Sequence, residues 1–147
     1  MGRLVIVRGG GDLASGIIHR LFRAGYDIIV TETEFPTVIR RTVAYAAAVY
    51  AGSVTVEELQ ADYCPMNEAL QKIRDGIIPV IADSGGESIR LYKPAAVVDA
   101  ILAKKNLGTT LNAASAVIGV GPGFTAGRDV HAVIESMRGH DLGRVYL

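Results

Sequence analysis

One feature limits the possible folds of this chain more than any other. It is a short apolar strand followed, almost at once, by three glycines and a helix. Leu4-Val5-Ile6-Val7 is an uninterrupted apolar run, as in a parallel strand that is buried on both faces of a sheet. Gly9-Gly10-Gly11 follows, and residues 13–24 then place apolar side chains at helical spacing before Gly25 ends the helix. Ile28-Ile29-Val30 predicts a second strand. This strand–loop–helix–strand unit predicts an α/β fold with a mostly parallel sheet.

The loop after the first strand has the spacing G-x-G-x-x-[GA] of a dinucleotide-binding loop. Glycine lets the backbone approach a phosphate closely, and the unpaired N–H groups and dipole of the following helix attract negative charge. The alternative is a sharp turn between strand and helix that binds no ligand. We predict a phosphate-binding loop of six residues: Gly9, Gly10, Gly11, Asp12, Leu13 and Ala14.

Two acidic residues bear on this loop in opposite ways. Glu32 ends the second strand 23 residues after Gly9, close to the ~20-residue spacing of the acid that accepts hydrogen bonds from ribose hydroxyls. Asp12 lies inside the loop, where its carboxylate would repel a pyrophosphate. Asp12 is therefore either the N-cap of the first helix, or a group that excludes a tightly bound pyrophosphate or meets a cation or amine.

A second glycine loop, residues 121–127, follows another buried apolar run at 116–120. Loops at the carboxyl ends of parallel strands meet at the point where the strand order reverses, so we expect both glycine loops to border one crevice. Gly121 and Gly123 would offer bare N–H donors, Thr125 a hydroxyl group and Phe124 a stacking face. The alternative is a loop that only turns the chain.

Arginine and histidine residues supply weaker candidates. Arg40 and Arg41 open a helix predicted over residues 37–50, where they either grip a phosphate or belong to the solvated face of that helix. His131 and His140 lie among carboxylates at residues 129–141, but the spacings fit no tight metal-binding signature. We therefore assign no metal ligand and no catalytic residue.

The remaining pattern completes a Rossmann-like, three-layer αβα domain that spans residues 1–147. A capping box predicts a helix start at residues 55–58, and residues 66–75 predict another helix. Pro79 places the apolar run 77–82 at a sheet edge, or else lies early in its strand. Residues 96–99 predict a strand or the start of a buried helix, and three more strands are predicted at 116–120, 131–135 and 145–147.

Charge and composition exclude several classes of protein. The 15 basic and 15 acidic residues give no net charge, so we expect neither a nucleic-acid-binding nor a membrane-surface protein. The longest apolar run, residues 44–51, is shorter than the ~18 residues of a membrane span. Cys64 is the single cysteine, which excludes an internal disulfide, and the N-terminus lacks signal-peptide architecture. We expect a cytoplasmic protein, and the absence of net charge leaves a homo-oligomer open.

Five segments of the chain, taken in sequence order, together resemble a known protein family. They are residues 7–16; Thr31-Glu32 with Pro36 and residues 40–44; residues 98–110; residues 118–127, which contain Gly121-Pro122-Gly123-Phe124; and Arg138-Gly139-His140-Asp141-Leu142-Gly143-Arg144. Together they resemble the YqeB-type family of selenium-dependent molybdenum hydroxylase maturation proteins. That family is similar, more distantly, to xanthine dehydrogenase maturation factors that have a Rossmann domain.

The resemblance implies an accessory role in preparing or inserting the molybdenum cofactor, with a molybdenum hydroxylase as the client partner. The glycine loops would then hold NAD(P), another nucleotide or the phosphate of a molybdopterin-type cofactor. Members of the family continue beyond the block at residues 138–144, so the resemblance also implies that this chain is a piece of a longer one. It assigns no catalytic residue.

Two other functions stay open at this point. An NAD(P)-dependent oxidoreductase would need a proton-transfer group, for which His131 and His140 are candidates, although no Tyr-x-x-x-Lys signature is present. A non-catalytic scaffold would use its loops only structurally and dock to the hydroxylase.

Overall fold

The computed structural model describes residues 2–38 and 40–147, with the backbone alone described at Arg41. Within these residues one sheet contains nine strands. The strands are β1 (Leu4–Arg8), β2 (Asp27–Glu32), β3 (Ser53–Val56), β4 (Leu59–Tyr63), β5 (Ile78–Ala82), β6 (Ala96–Asp99), β7 (Ala116–Val120), β8 (Ala132–Ile134) and β9 (Val145–Tyr146). The α-helices are α1 (Asp12–Arg23), α2 (Ala48–Ala51), α3 (Ala69–Arg74) and α4 (Glu87–Tyr92). None of these helices is long and apolar enough to cross a membrane.

The order of the strands is that of a doubly wound sheet. The order is β3-β4-β5-β2-β1-β6-β7-β8-β9, in which β3 and β9 run antiparallel to their neighbours. Seven strands are parallel, and six of them, β5-β2-β1-β6-β7-β8, have the Rossmann order 3-2-1-4-5-6 when renumbered in chain order; the seventh, β4, pairs with β5 beyond this series. The chain therefore winds in opposite directions on either side of β1 and β6. The predicted α/β, Rossmann-like fold with a mostly parallel sheet is confirmed.

The alternation of side chains along β1 divides the core into two layers. Val5 and Val7 face α1, where Ala14 and Ile18 are fully buried. Ile6, which points to the opposite face, belongs to a cluster that contacts α3 and α4 through Ile73 and Ile89. The sheet thus lies between two helical layers, and each large aliphatic side chain buried there contributes about 1.5–3 kcal/mol.

The helix predicted over residues 37–50 is wrong for most of its length. Short 3₁₀ turns at Arg41–Val43 and Tyr45–Ala47 precede the single turn of α2, which ends at Gly52 as expected. The backbone N–H of Tyr45 donates to Ser15 Oγ at 2.9 Å, and that of Ala46 donates to the Gly10 carbonyl at 2.8 Å. These donors are used to hold the first glycine loop, so they are not available for a continuous helix.

The helix start predicted at residues 55–58 is also wrong. These residues belong to a hairpin in which β3 pairs with β4, and Glu57 and Glu58 form its turn with φ angles of 51° and 71°. Strand β4 then pairs with β5, which makes β5 an internal strand rather than an edge. Pro79 is the second residue of β5 and precedes Val80, where the pairing with β2 begins, so its early position is confirmed.

The later elements agree more closely with the sequence. A 3₁₀ turn at Met66–Glu68 and helix α3 occupy the segment predicted as a helix at 66–75. Residues 96–99 form strand β6, and β7 has the predicted bounds. Helix α4 was not predicted. It begins where both carboxylate oxygens of Asp83 accept hydrogen bonds from the backbone N–H groups of Glu87 and Ser88.

Candidate functional site

A cavity of about 410 Å³ opens at the carboxyl ends of β1, β2, β5 and β6. This is the point where the strand order reverses, which is where open α/β sheets bind their ligands. The volume lies in the ~300–1,000 Å³ range of small-molecule sites. Its walls come from four segments: Arg8, Gly9 and Gly11; Thr31, Glu32, Thr33, Phe35, Pro36 and Thr37; Asp83 and Ser84; and Ala100, Ile101, Leu102 and Leu107.

The first glycine loop is held in place by hydrogen bonds from three directions. The backbone N–H of Gly9 donates to the Thr31 carbonyl at 2.8 Å, next to β2. The Gly10 carbonyl accepts from the Ala46 N–H at 2.8 Å and from Ser15 Oγ at 3.2 Å. The loop is therefore fixed by the fold itself.

The three glycines of this loop differ in whether packing requires a residue without a side chain. Gly9 has a φ of 98°, and a Cβ atom there would lie 2.8 Å from the Ala100 carbonyl oxygen, so packing alone requires glycine. A Cβ atom on Gly10 would lie 3.1 Å from the Ala46 nitrogen. Gly11 has an ordinary φ of −67° and nothing within 4 Å of its Cβ position. No contact with a described residue explains a glycine at position 11, which lies open on the cavity.

The start of α1 leaves backbone donors beside that opening. Among the described residues, none accepts a hydrogen bond from the backbone N–H groups of Gly11 or Asp12. The Leu13 N–H donates to Asp12 Oδ1 at 2.9 Å, while Ala14 is fully buried against the core. The first turn of α1 thus offers two N–H groups and the positive end of the helix dipole to an anion.

Asp12 is not the N-cap of α1, because Gly11 occupies that position. Asp12 is the first helical residue, and its Oδ2 lies 3.7 Å from Arg40 Nη1. The cation that Asp12 meets therefore comes from this chain. Both side chains are at least half exposed, so the pair contributes at most about 1 kcal/mol. An anion at the loop can compete for Arg40. The side chain of Arg41 lies outside the described part of the chain.

Glu32 lies in the cavity wall at the end of β2, as its spacing predicts. Its Oε1 accepts a hydrogen bond from the Gly10 N–H at 2.7 Å, and its Oε2 accepts one from the Thr33 N–H at 3.1 Å. Backbone donors on two segments therefore fix the carboxylate in one orientation. Each oxygen keeps a further lone pair, so Glu32 can still accept hydrogen bonds from hydroxyl groups of a ligand.

The second glycine loop does not border this cavity, contrary to expectation. It lines a separate, shallow depression together with Val133, Glu135 and Tyr146. The reason is the segment after β6, which lies between the loops: a Cβ atom on Gly121 would meet Leu102 Cδ2 at 2.9 Å, and one on Gly123 would meet Lys105 Cα at 2.8 Å.

The side chains of that loop also have structural roles. The Phe124 ring packs on Gly119 of β7, where an added Cβ atom would lie 2.5 Å from the ring, so the ring is not a free stacking face. The backbone N–H of Thr125 donates to Asp129 Oδ1 at 2.7 Å. The loop therefore turns the chain from β7 toward β8.

Neither candidate histidine lines the cavity. Nδ1 of His131 accepts a hydrogen bond from the Val117 N–H at 2.9 Å, beside the start of β7. His140 is exposed in the C-terminal segment. Over the ranges that the structure describes, no three His, Cys, Asp or Glu residues are grouped so that they could hold a metal ion.

A buried polar chain at the carboxyl ends of β1 and β6 was not predicted. Arg8 Nη1 donates to Thr109 Oγ1 at 2.7 Å, and Thr109 Oγ1 donates to Asp99 Oδ2 at 2.6 Å. All three side chains are at least 95% buried. The sequence does contain a signal for two of them, since Arg8 and Asp99 are charged residues that end apolar strand runs. Their partner Thr109 follows from the fold alone.

Comparison with known proteins finds one curated protein whose sequence is similar to that of this chain. It is 51% identical over 144 residues to a protein of Escherichia coli (strain K12) described as "Uncharacterized protein YqeB". The match covers 97% of this chain and 27% of that protein, so the chain spans about a quarter of the length of the relative. No family model matches the chain, and no solved structure matches it. Over nearly its whole length, the chain is therefore a homologue of one part of YqeB.

Proposed function

We propose that this chain binds a nucleotide, or the phosphate-bearing part of a pterin dinucleotide, in the 410 Å³ cavity and acts in the maturation of a molybdenum hydroxylase. The observation that supports binding best is the arrangement at Gly11. Glycine at position 11 is not required by packing against the described residues, and the N–H groups of Gly11 and Asp12 donate to none of those residues. Gly11 lies at the mouth of the cavity, over the strand-order reversal.

The cavity offers a separate contact for each part of such a ligand. A phosphate would accept hydrogen bonds from the N–H groups of Gly11 and Asp12. Ribose hydroxyls would donate to the fixed carboxylate of Glu32. The apolar side chains of Phe35, which is 80% exposed, and Leu107, which is 48% exposed, would cover a planar base or pterin ring at the rim.

The maturation role is supported by the family resemblance that residues 7–16, 98–110, 118–127 and 138–144 carry. Preparing or inserting a cofactor requires a protein that holds the cofactor or its nucleotide without consuming it. A preformed cavity with phosphate donors is suited to that task. The client would be a molybdenum hydroxylase.

The proposed nucleotide binding is tested by a thermal-shift panel of NAD, NADP, ATP, CTP, CMP and molybdopterin-type ligands. A ligand that binds only the folded state at a hundredfold excess over its Kd stabilises the protein by ~2.7 kcal/mol. We expect one ligand class to raise the Tm. A panel in which no ligand raises the Tm would contradict nucleotide binding and favour a docking scaffold.

The proposed role in hydroxylase maturation needs a separate test in cells. Molybdenum hydroxylase activity and cofactor content are measured in a strain that lacks the gene and in strains that express the wild-type or the Gly11→Asp full-length product. We expect inactive hydroxylase with the deletion and with the variant. Full activity in the deletion strain would contradict the maturation role, whatever the protein binds in vitro.

A further inference from the structure

A second cavity of about 240 Å³ lies beside the first, between the turn before α4 and the segment after β6. Arg8 lines both cavities. Among the described residues that line the second cavity, two are arginines, Arg8 and Arg90, and none is acidic, so the lining is positively charged. Gly85, Gly108, Thr110 and Asn112 also line it.

Arg8 is a buried cation in the lining of this second cavity, which matters more than the charge of the lining as a whole. Its side chain is 96% buried, given a relative exposure of 4%, yet among the described residues no carboxylate lies within 4.0 Å of its guanidinium group. It donates to the Ser84 carbonyl at 3.0 Å and reaches Asp99 only through the Thr109 hydroxyl. A buried cation without a direct counter-ion is costly unless an anion approaches it.

Arg90 adds a second guanidinium group at the rim of the same cavity. Its side chain is exposed in α4, and it forms no ion pair or hydrogen bond with any described residue. Thr110 and Asn112 also line the cavity, and no described group is hydrogen-bonded to either side chain. Planar guanidinium groups and neutral donors are the groups that bind tetrahedral oxyanions in proteins.

We propose that this second cavity is an anion site for phosphate, either as the free ion or as the terminal group of a small phosphomonoester. Arg8 and Arg90 bind the phosphate oxygens from two sides, and Thr110 and Asn112 supply neutral donors. The site is distinct from the loop at Gly11 and does not depend on nucleotide binding there.

The test is a titration with inorganic phosphate at constant ionic strength, followed by the backbone amide NMR shifts of Gly85, Gly108 and Thr110. The protein is the Gly11→Asp variant of the chain, so that the first glycine loop does not add a second binding event. We expect saturable shifts at these amides with one ion bound per chain. Glycerol phosphate, titrated in parallel, distinguishes a phosphomonoester from the free ion by which of the two binds more tightly.

Arg90→Gln removes one guanidinium group from an exposed position without disturbing the core. We expect the Kd for phosphate to rise about tenfold, the effect of one lost charged hydrogen bond, and Arg90→Lys to restore part of the affinity. Arg20→Gln, the same change in the last turn of α1, is the matched control and should bind as the parent does. Equal affinity in the Arg90→Gln variant and its parent, or equal weakening by Arg20→Gln, would overturn the proposal, as would shifts that do not saturate.

Discussion

Oε1 of Glu32 lies 2.7 Å from the backbone nitrogen of Gly10, so the acid that ends β2 is hydrogen-bonded to the middle of the glycine loop that follows β1. One donor of the loop is therefore already satisfied by the protein. A phosphate has to use the remaining donors at Gly11 and Asp12, while the position of Glu32 favours hydroxyl groups over a second phosphate beside it. This division of donors and acceptors leads to the first two predictions.

Gly11→Asp should abolish binding of nucleotides without unfolding the protein. The backbone at position 11 has a φ of −67°, which aspartate adopts readily, and aspartate is a favourable N-cap residue. We expect an unchanged or slightly higher Tm and no nucleotide binding in isothermal titration calorimetry, because the carboxylate occupies and repels the phosphate position.

The matched control for this variant is Gly16→Asp. Gly16 lies in the same helix, is exposed, and has nothing within 4 Å of its Cβ position, so the change in charge is the same away from the cavity. It should bind as the wild type does. Wild-type affinity in Gly11→Asp would show that the loop is not the phosphate site.

Glu32→Ala should separate ribose recognition from phosphate recognition. Loss of the carboxylate should weaken a ribose-containing ligand by about 1–3 kcal/mol. Inorganic phosphate should bind at least as well as before, because the variant frees the Gly10 N–H and removes a negative charge. Calorimetry with both ligands measures the difference, and equal weakening of the two would mean that Glu32 only supports the loop.

Thr109→Val should destabilise the protein by about 1–3 kcal/mol, although valine nearly preserves the shape of threonine. The substitution removes the hydroxyl that joins Arg8 to Asp99 and leaves buried polar groups without their partner. Urea unfolding measures the change. Thr110→Val, at the exposed neighbouring position, should cost much less, and equal losses in the two variants would contradict a specific role for the Thr109 bridge.

Tyr45 should make the protein less stable in alkaline solution. Burial raises the pKa of its phenol from 10.0 to about 12, and the hydroxyl donates to the Val56 carbonyl at 3.1 Å. Between these two values the unfolded chain releases the phenol proton and the folded chain keeps it, so the free energy of unfolding falls as the pH rises.

The measurement is the free energy of unfolding at about pH 9 and about pH 11, the two sides of the unfolded-state titration. The decrease should be smaller in Tyr45→Phe than in the wild type, and Tyr26→Phe, at a partly exposed position, should behave as the wild type. An identical decrease in all three proteins would contradict the assignment to Tyr45.

Cys64 should react slowly with alkylating reagents while the protein is folded. Its side chain is 6% exposed, and burial raises the pKa of the thiol to about 11, so little thiolate forms near neutral pH. We expect the labelling rate at about pH 8 to rise steeply when urea unfolds the chain. Comparable rates for the folded and unfolded protein would show that the thiol is accessible.

The sequence by itself determined the parts of the fold that depend on nearby residues. The β1–loop–α1–β2 unit follows from an apolar run, glycines at fixed spacing and a helical pattern, all within residues 4–32. The position of Glu32 at the end of β2 follows from the same local spacing.

Long-range contacts decided the rest. Residues 41–51 form short turns because the N–H groups of Tyr45 and Ala46 bind Ser15 and Gly10. Strand β5 is internal because β4 pairs with it. The second glycine loop is turned away from the cavity because the segment after β6 lies between them. Arg8 and Thr109 are 101 positions apart in the chain. The parallel pairing of β1 with β6 places Arg8 opposite Asp99, and Thr109 meets them through its hydrogen bond to Asp99. Local periodicity contains no information about such pairs, since their partners are set by the winding of the whole sheet.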